Sequence, residues 1–207
     1  MVDPLRNRLR RAYDNGAEAR ERSDLPQWKE LERERFLSQL QANALTRLLE
    51  IGAGTGRDSR FFADAGCAVT CIDISPEMLR LCQEKGLDAA VMDVAKMSFA
   101  DVSFDAVYSF NSLLHLPKSE LPPVLQEVAR VMRPNGLLYF GTWGGFDREG
   151  IHEEDDHDPP RFFSFYDDGE LKRVVSRAFD ILEFRSLDVN KHDPRFRFQS
   201  LLLRRSP

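Results

Sequence analysis

The chain has 207 residues, 42% hydrophobic and 30% charged, a length and balance that suit one globular domain with a full core. Its net charge of −5 argues against a general nucleic-acid binder, and no apolar run approaches the roughly 18 residues of a membrane span. Three cysteines, Cys67, Cys71 and Cys82, make neither a C-x-x-C pair nor a disulfide count, and no signal-peptide pattern opens the chain, so reduced core thiols in a cytoplasmic protein are expected.

Residues 1–45 are charged and helical in pattern. Arg6, Arg8, Arg10 and Arg11 read as a solvated helix face. Tyr13 follows in the amphipathic stretch 12–17. Pro26 breaks the segment, with Ser23 or Asp24 able to cap a second helix. In that helix Trp28, Leu31, Phe36, Leu37 and Leu40 recur at helical spacing and predict one packed face. From residue 46 the texture alternates. Apolar strands are predicted at 46–51, 68–73, 88–92, 104–110 and 137–142, with helices at 57–65, 76–85 and 119–132. Ser75-Pro76-Glu77 is a helix start, Ser as cap and Pro in the first turn. Strands alternating with helices predict a parallel sheet covered on both faces. A helix near 168–178 precedes two alternating stretches, 179–187 and 195–203, joined by a turn-like 188–194, which predict a closing antiparallel pair.

The first strand, Leu48-Leu49-Glu50-Ile51, runs into Gly52-Ala53-Gly54-Thr55-Gly56 and then a helix start at Arg57 and Asp58. Strand, glycine turn and helix start make a nucleotide-cofactor site, because glycine lets the backbone approach a ligand where a Cβ would collide. The spacing is G-x-G-x-G, not G-x-G-x-x-G, and Glu50 stands two residues before the first glycine. A pyrophosphate at the helix N-terminus would be repelled by that carboxylate, whereas a cationic nucleoside would be held by it. S-adenosylmethionine, with a sulfonium, an ammonium and no phosphate, fits.

At this point the chain resembles the class I S-adenosylmethionine-dependent methyltransferases, strongly over about residues 45–145. Residues 50–56 resemble the first motif of that family and Cys71-Ile72-Asp73-Ile74-Ser75-Pro76-Glu77-Met78-Leu79 the second. Met92-Asp93-Val94 and Phe104-Asp105-Ala106-Val107-Tyr108-Ser109 resemble the next two. Residues 129–138 resemble the turn before the fifth strand, where most members have Pro-Gly-Gly and this chain has Pro134-Asn135-Gly136. Asn tolerates the same left-handed conformation. The resemblance implies an α/β, Rossmann-like, doubly wound seven-stranded sheet, mostly parallel with the antiparallel C-terminal pair. It also implies a helical cap, residues 1–45, over a methyltransferase domain, 46–207, that carries a substrate-covering insertion around 144–166.

The resemblance further implies cofactor contacts from Glu50, Gly52, Ala53, Gly54, Gly56, Asp73, Ile74, Met78, Asp93, Val94 and Asn111. Asp73 would take the ribose hydroxyls, or else serve as a turn residue. Asp93 with Val94 would recognise the adenine amino group, or else be a loop carboxylate. Glu50 would meet the cofactor ammonium through the glycine-loop amides, or else be structural. His115, whose ordinary pKa lies near neutrality, is a candidate general base, packing being the alternative. Tyr13, His115, Trp143 and Arg161 are expected at the acceptor, Trp143 at the substrate mouth. Arg161 with Phe162, Phe163, Phe165 and Tyr166 would build a substrate wall in which Arg161 pairs a substrate carboxylate, or else, the reading preferred here, fill the core or hinge a lid. The run His152 to Asp158 could hold a divalent ion but reads better as a solvated, mobile loop, so no metal is expected.

The strand-four end, Ser109-Phe110-Asn111-Ser112, lacks the Asn/Asp-Pro-Pro-Tyr/Phe pattern of enzymes that methylate nucleic-acid bases or glutamine, and no Pro-Cys pair suggests a cytosine nucleophile. The expected reaction is methyl transfer to an oxygen or nitrogen of a small molecule, with neither nucleic acid nor membrane as partner. The competing readings are an inactive cofactor-binding module that regulates a partner protein and a nicotinamide oxidoreductase, which the glycine spacing and Glu50 oppose. The acceptor and the oligomeric state are open at this stage.

Overall fold

Side-chain alternation in the first strand decides the layering. In β1 (Arg47–Ile51), Leu48 and Glu50 point to one side and Leu49 and Ile51 to the other, and all four are buried. A strand buried on both faces needs a layer of helices against each. The computed structural model, which describes residues 3–190, 193 and 195–206, has both layers. Seven strands form one sheet in the order β3-β2-β1-β4-β5-β9-β8. Here β2 is Ala68–Asp73, β3 Asp88–Val91, β4 Phe104–Phe110, β5 Met132–Gly144, β8 Phe179–Leu187 and β9 Arg197–Arg205. Strands β1 to β5 pair in parallel, and β9 runs antiparallel to both β5 and β8. The expected sheet and closing pair are present.

On one face α5 (Leu121–Val131) and α6 (Asp168–Val175) bury Val124, Val128, Leu171 and Val175 against Leu49, Val107, Leu138 and Leu201. On the other, α2 (Gln27–Ala42), α3 (Arg57–Asp64) and α4 (Pro76–Glu84) bury Phe36, Leu40, Phe62 and Leu79 against Leu48, Tyr108 and Tyr139. The start of α4 forms as the sequence predicts, with Ser75 Oγ accepting from the Met78 amide at 3.1 Å. Asn135 adopts a left-handed φ of 61°, and the turn around it appears as a register shift in the pairing of β4 with β5.

The N-terminal segment departs from expectation in three ways. First, the break after α1 (Pro4–Arg22) is present, but Ser23 closes α1 by donating its hydroxyl to the Arg20 carbonyl at 2.8 Å, and α2 begins at Pro26 with no side-chain cap. Second, the buried positions of α2 are Glu32, Phe36 and Leu40, four apart, while Leu31 is 53% exposed. Glu32 is tolerated in the core because it accepts from Tyr139 Oη at 3.1 Å, Ser200 Oγ at 2.5 Å and Arg185 Nη1 at 2.5 Å. Apolar periodicity alone selects Leu31, since it has no means of seeing three donors that arrive from β5, β8 and β9. Third, α2 is a layer of the sheet; of residues 1–45, only α1 roofs the cleft described below.

The insertion is a two-stranded antiparallel ribbon, β6 (Arg148–Ile151) with β7 (Phe162–Phe165). Its loop is not simply solvated. The Asp155 side chain is 7% exposed and takes both arms of Arg161, and Asn15 and Arg8 of α1 donate to the carbonyls of Asp158 and Pro160 at 2.8 and 3.1 Å. Among the described residues no helix is long and apolar enough to cross a membrane.

Candidate active site

The sheet order reverses at β1, which lies between β2 and β4, and the crevice beyond the C-terminal ends of these strands is where an open α/β sheet binds ligands. A cleft opens there, floored by Gly52, Gly54, Asp73 and Asn111 and roofed by Leu5, Arg6, Leu9 and Tyr13 of α1. Two of the loop glycines are irreplaceable for different reasons. Gly52 has φ +69°, and a Cβ on it would stand 2.1 Å from Ser112 Oγ. Gly56 has φ +79°, and its Cβ would strike Leu87 and Cys82 at 2.7 and 2.8 Å, so it packs α3 on α4 and does not line the cleft. At Gly54 nothing lies within 4 Å of a built Cβ, which leaves open space for a ligand.

Asp73 ends β2 and ties the loop to it. Its Oδ2 accepts from the Gly54 amide and its Oδ1 from the Ser75 amide, both at 2.9 Å. Burial raises the Asp73 carboxyl above its ordinary range, against the pull of those amides. Ile74, Met78, Asp93, Val94 and Asn111 line the same cleft. Asn111 holds a left-handed φ of 55°, and both its buried Oδ1 and the buried Oγ of Ser109 lack a hydrogen-bond partner. Asp93 is already engaged: Oδ1 accepts from the Ala95 amide at 2.9 Å and Oδ2 from Arg6 Nε at 3.0 Å. Arg6 also donates to Glu120 Oε2 at 2.5 Å, so one member of the arginine run expected on a solvated face is instead 13% exposed and latches the roof.

Glu50 and Ala53 lie in a second hollow behind the glycine loop, with Lys29, Asp58 and Arg20. Glu50 is buried and accepts from Ser59 Oγ; burial, then the nearby Asp58 carboxylate, raises its carboxyl well above the ordinary value. A buried carboxylate in that condition is relieved by a cation.

His115 is fully enclosed. Its Nδ1 lies 2.9 Å from the Phe162 carbonyl, which only accepts, so Nδ1 carries the proton. The neutral ring's Nε2 then accepts from Tyr13 Oη at 2.7 Å, and Tyr13 Oη accepts from Arg161 Nη1 at 3.1 Å. Burial, then the Arg161 charge, pulls His115 down to about 3. Burial raises the Tyr13 phenol, so both groups are neutral near pH 7.

Three further expectations are corrected. Trp143 does not stand at the cleft mouth; it packs in an aromatic cluster against Trp28 and Phe198, with ring centres 5.7 and 5.6 Å away. Arg161 does not line the cleft; its fork is turned onto Asp155, which takes Nε at 2.8 Å and Nη2 at 2.7 Å, while Nη1 donates to Tyr13 Oη at 3.1 Å. The aromatics after Arg161 take the filler role and not that of a cleft wall: Phe163 packs against His115 and Phe165 in the ribbon, and Tyr166 joins the core under α6. From the run His152 to Asp158, Asp155 turns onto Arg161 and His157 packs against Tyr13. Sequence reasoning missed Leu5, Arg6, Leu9, Arg20 and Lys29. The signal was the shared helical face of Leu5, Leu9, Tyr13 and Ala17.

Residues 49–140 match the family described as Methyltransferase domain. A malonyl-[acyl-carrier protein] O-methyltransferase of Pectobacterium atrosepticum is 34% identical over 111 residues, 53% of this chain and 43% of that protein. The chain therefore spans less than half the length of such curated relatives. Two solved structures share the fold along the whole chain. One is a Burkholderia thailandensis 1,6-didemethyltoxoflavin-N1-methyltransferase with bound 1,6-didemethyltoxoflavin and S-adenosylhomocysteine, with a TM-score of 0.73, 17% identity and 92% of that chain covered. The other is a DhpI–S-adenosylhomocysteine complex, with a TM-score of 0.75, 19% identity and 100% covered.

Proposed function

Because residues 49–140 match a methyltransferase-domain family and the fold is shared with S-adenosylhomocysteine-bound methyltransferases, we propose that this chain transfers the methyl group of S-adenosylmethionine to an oxygen or nitrogen of a small-molecule acceptor. The carrying observation is the cleft at the switch point: Asp73 bound to the glycine loop, space at Gly54, and the raised Glu50 carboxyl behind it. These features suit a cationic nucleoside and not a pyrophosphate. Relatives named for an O-methylation and for an N-methylation support both acceptor types.

The cofactor, when bound, would supply an electrophilic methyl on its sulfonium sulfur, open to in-line attack by an acceptor nucleophile with the electron pair leaving on sulfur as the thioether of S-adenosylhomocysteine. Asp73 offers its remaining lone pairs to ribose hydroxyls. Asp93 and Val94, with Ile74 and Met78, would hold the adenine. Asn111 Oδ1 offers an unused acceptor, and Glu50 balances charge behind the loop. The α1 roof excludes water and leaves the methyl and acceptor to meet in a confined space, which is most of what such a displacement requires. His115 acts here as a positioning residue, holding the Tyr13 hydroxyl over the cleft, because its one acceptor nitrogen is occupied and its ring stays neutral. The division into a covering N-terminal segment and a methyltransferase body follows, with α1 alone as the cover.

Calorimetric titration of S-adenosylmethionine and S-adenosylhomocysteine, with NAD as control, tests the reading. Micromolar binding of the first two and none of NAD is expected; binding of NAD alone would overturn it. Turnover of bound cofactor to S-adenosylhomocysteine with an acceptor panel then separates an enzyme from a regulatory binding module.

A further inference from the structure

Away from the cleft, a second cavity lies between α2 and the outer strands of the sheet, walled on its apolar side by Phe36, Tyr139 and Leu202. The hydroxyls that line it have each donated their hydrogen elsewhere. Ser38 Oγ gives its own to the Glu34 carbonyl at 3.0 Å, and Tyr139 Oη and Ser200 Oγ give theirs to Glu32 Oε2 at 3.1 and 2.5 Å. These oxygens keep only lone pairs to offer. The carboxylates of Glu32 and Glu183 line the same space and add acceptors of their own.

The two carboxylates are balanced by two guanidinium groups held very differently. Arg185 Nη1 is fixed on buried Glu32 at 2.5 Å. Arg35 lines the cavity with a side chain that is 51% exposed, and its Nη2 is shared between the two oxygens of Glu183 at 2.8 and 3.1 Å. An ion pair this exposed contributes little, so Arg35 is released to water at low cost. With Arg35 swung out, Glu32, Glu183 and Arg185 leave one negative charge, which one monocation cancels. A guest that fits must therefore donate hydrogen bonds, carry a single positive charge and cover two rings and a leucine.

We propose that this cavity is a second ligand site, distinct from the methyl-transfer cleft, that takes a primary ammonium on a short arylalkyl stem. The ammonium replaces Arg35 on Glu183, and the stem lies against Phe36, Tyr139 and Leu202. No part of methyl transfer passes through this cavity, so the inference stands independently of the function proposed above.

The test titrates 2-phenylethylamine into the wild type, Arg35→Gln, Glu183→Gln and Leu202→Trp, with 3-phenylpropionate as an anion of similar shape and no cofactor present. Binding is read by calorimetry and by amide chemical shifts. Arg35 and Glu183 are exposed, so their variants should fold, and melting curves check all three. The amine is expected to bind the wild type and shift amides in 32–39 and 198–203, whereas phenylpropionate does neither. Arg35→Gln, which removes the competing cation, should tighten the amine by about threefold to fivefold, and Glu183→Gln should weaken it by about fivefold or more. Leu202→Trp, which fills the cavity, should abolish binding. Arg173→Gln, a loss of the same charge on α6 across the sheet, should leave the affinity unchanged. Failure of the amine to bind both the wild type and Arg35→Gln would overturn the proposal. So would equal binding of phenylpropionate, an affinity indifferent to Glu183→Gln, or shifts confined to the cleft around Gly52 and Asp73.

Discussion

Asp73 has two tasks, and a substitution separates them. It accepts from Gly54 and Ser75, and it faces the cleft. Asp73→Ala is expected to weaken cofactor binding by about 1–3 kcal/mol, the cost of a lost charged hydrogen bond. Unchanged affinity by calorimetry would remove Asp73 from the site. Glu50 gives the opposite pattern. Its folded carboxyl is raised above the unfolded value, so the ligand-free protein gains stability as pH falls and is penalised when Glu50 ionises. Glu50→Gln should therefore raise the melting temperature of the ligand-free protein at pH 8 and lower cofactor affinity by about tenfold or more. A fall in both would mean that Glu50 is purely structural. His115 titrates with a depressed folded value of about 3 against an ordinary 6.5. The unfolded chain takes the proton first as pH falls, so the His115 contribution is intact above pH 6.5 and declines below it. Relative to His115→Gln, the wild type should lose about 2 kcal/mol between pH 6.5 and 5, at roughly 1.4 kcal/mol per unit. Denaturant midpoints at the two pH values check this.

At the scale of elements, α1 is a roof pinned from three directions. Asp14 accepts from Ser75 Oγ at 2.6 Å, Arg6 reaches Asp93 and Glu120, and Asn15 and Tyr13 engage the ribbon loop. Ala17 closes the seam against Met78 and Leu81 of α4. Helix α2 answers to other forces. Its one buried carboxylate collects donors from three strands, so Glu32→Ala leaves Tyr139, Ser200 and Arg185 without their acceptor. A fully buried pair costs about 3–5 kcal/mol to break, but the Arg185 side chain is 31% exposed, so about 2–3 kcal/mol is expected, read by chemical denaturation. A change below about 0.5 kcal/mol would show that water replaces Glu32.

Across the whole molecule, the roof and the ribbon should respond to ligand as one unit, because Tyr13, His115, Arg161 and Asp155 chain α1 to the loop 152–161 through consecutive hydrogen bonds. Hydrogen exchange is expected to slow together in 4–22 and 152–161 when S-adenosylhomocysteine binds, with α6 unaffected. Protection confined to the glycine loop would show that the roof moves independently.

Local rules make much of this fold legible in the sequence. Strand alternation, the Ser75-Pro76 cap, the left-handed Asn135 and the glycine spacing beside Glu50 are properties of neighbouring residues, and they specify the sheet, its helices and the cleft floor. The roof, the pairing of Asp155 with Arg161, the burial of Glu32 and the neutral His115 join residues 6, 102, 107 and 148 or more positions apart. Composition reads a charged residue as solvated. Whether it is buried depends on which donors and acceptors the fold brings to it, and a buried charge survives only where tertiary structure completes its hydrogen bonds.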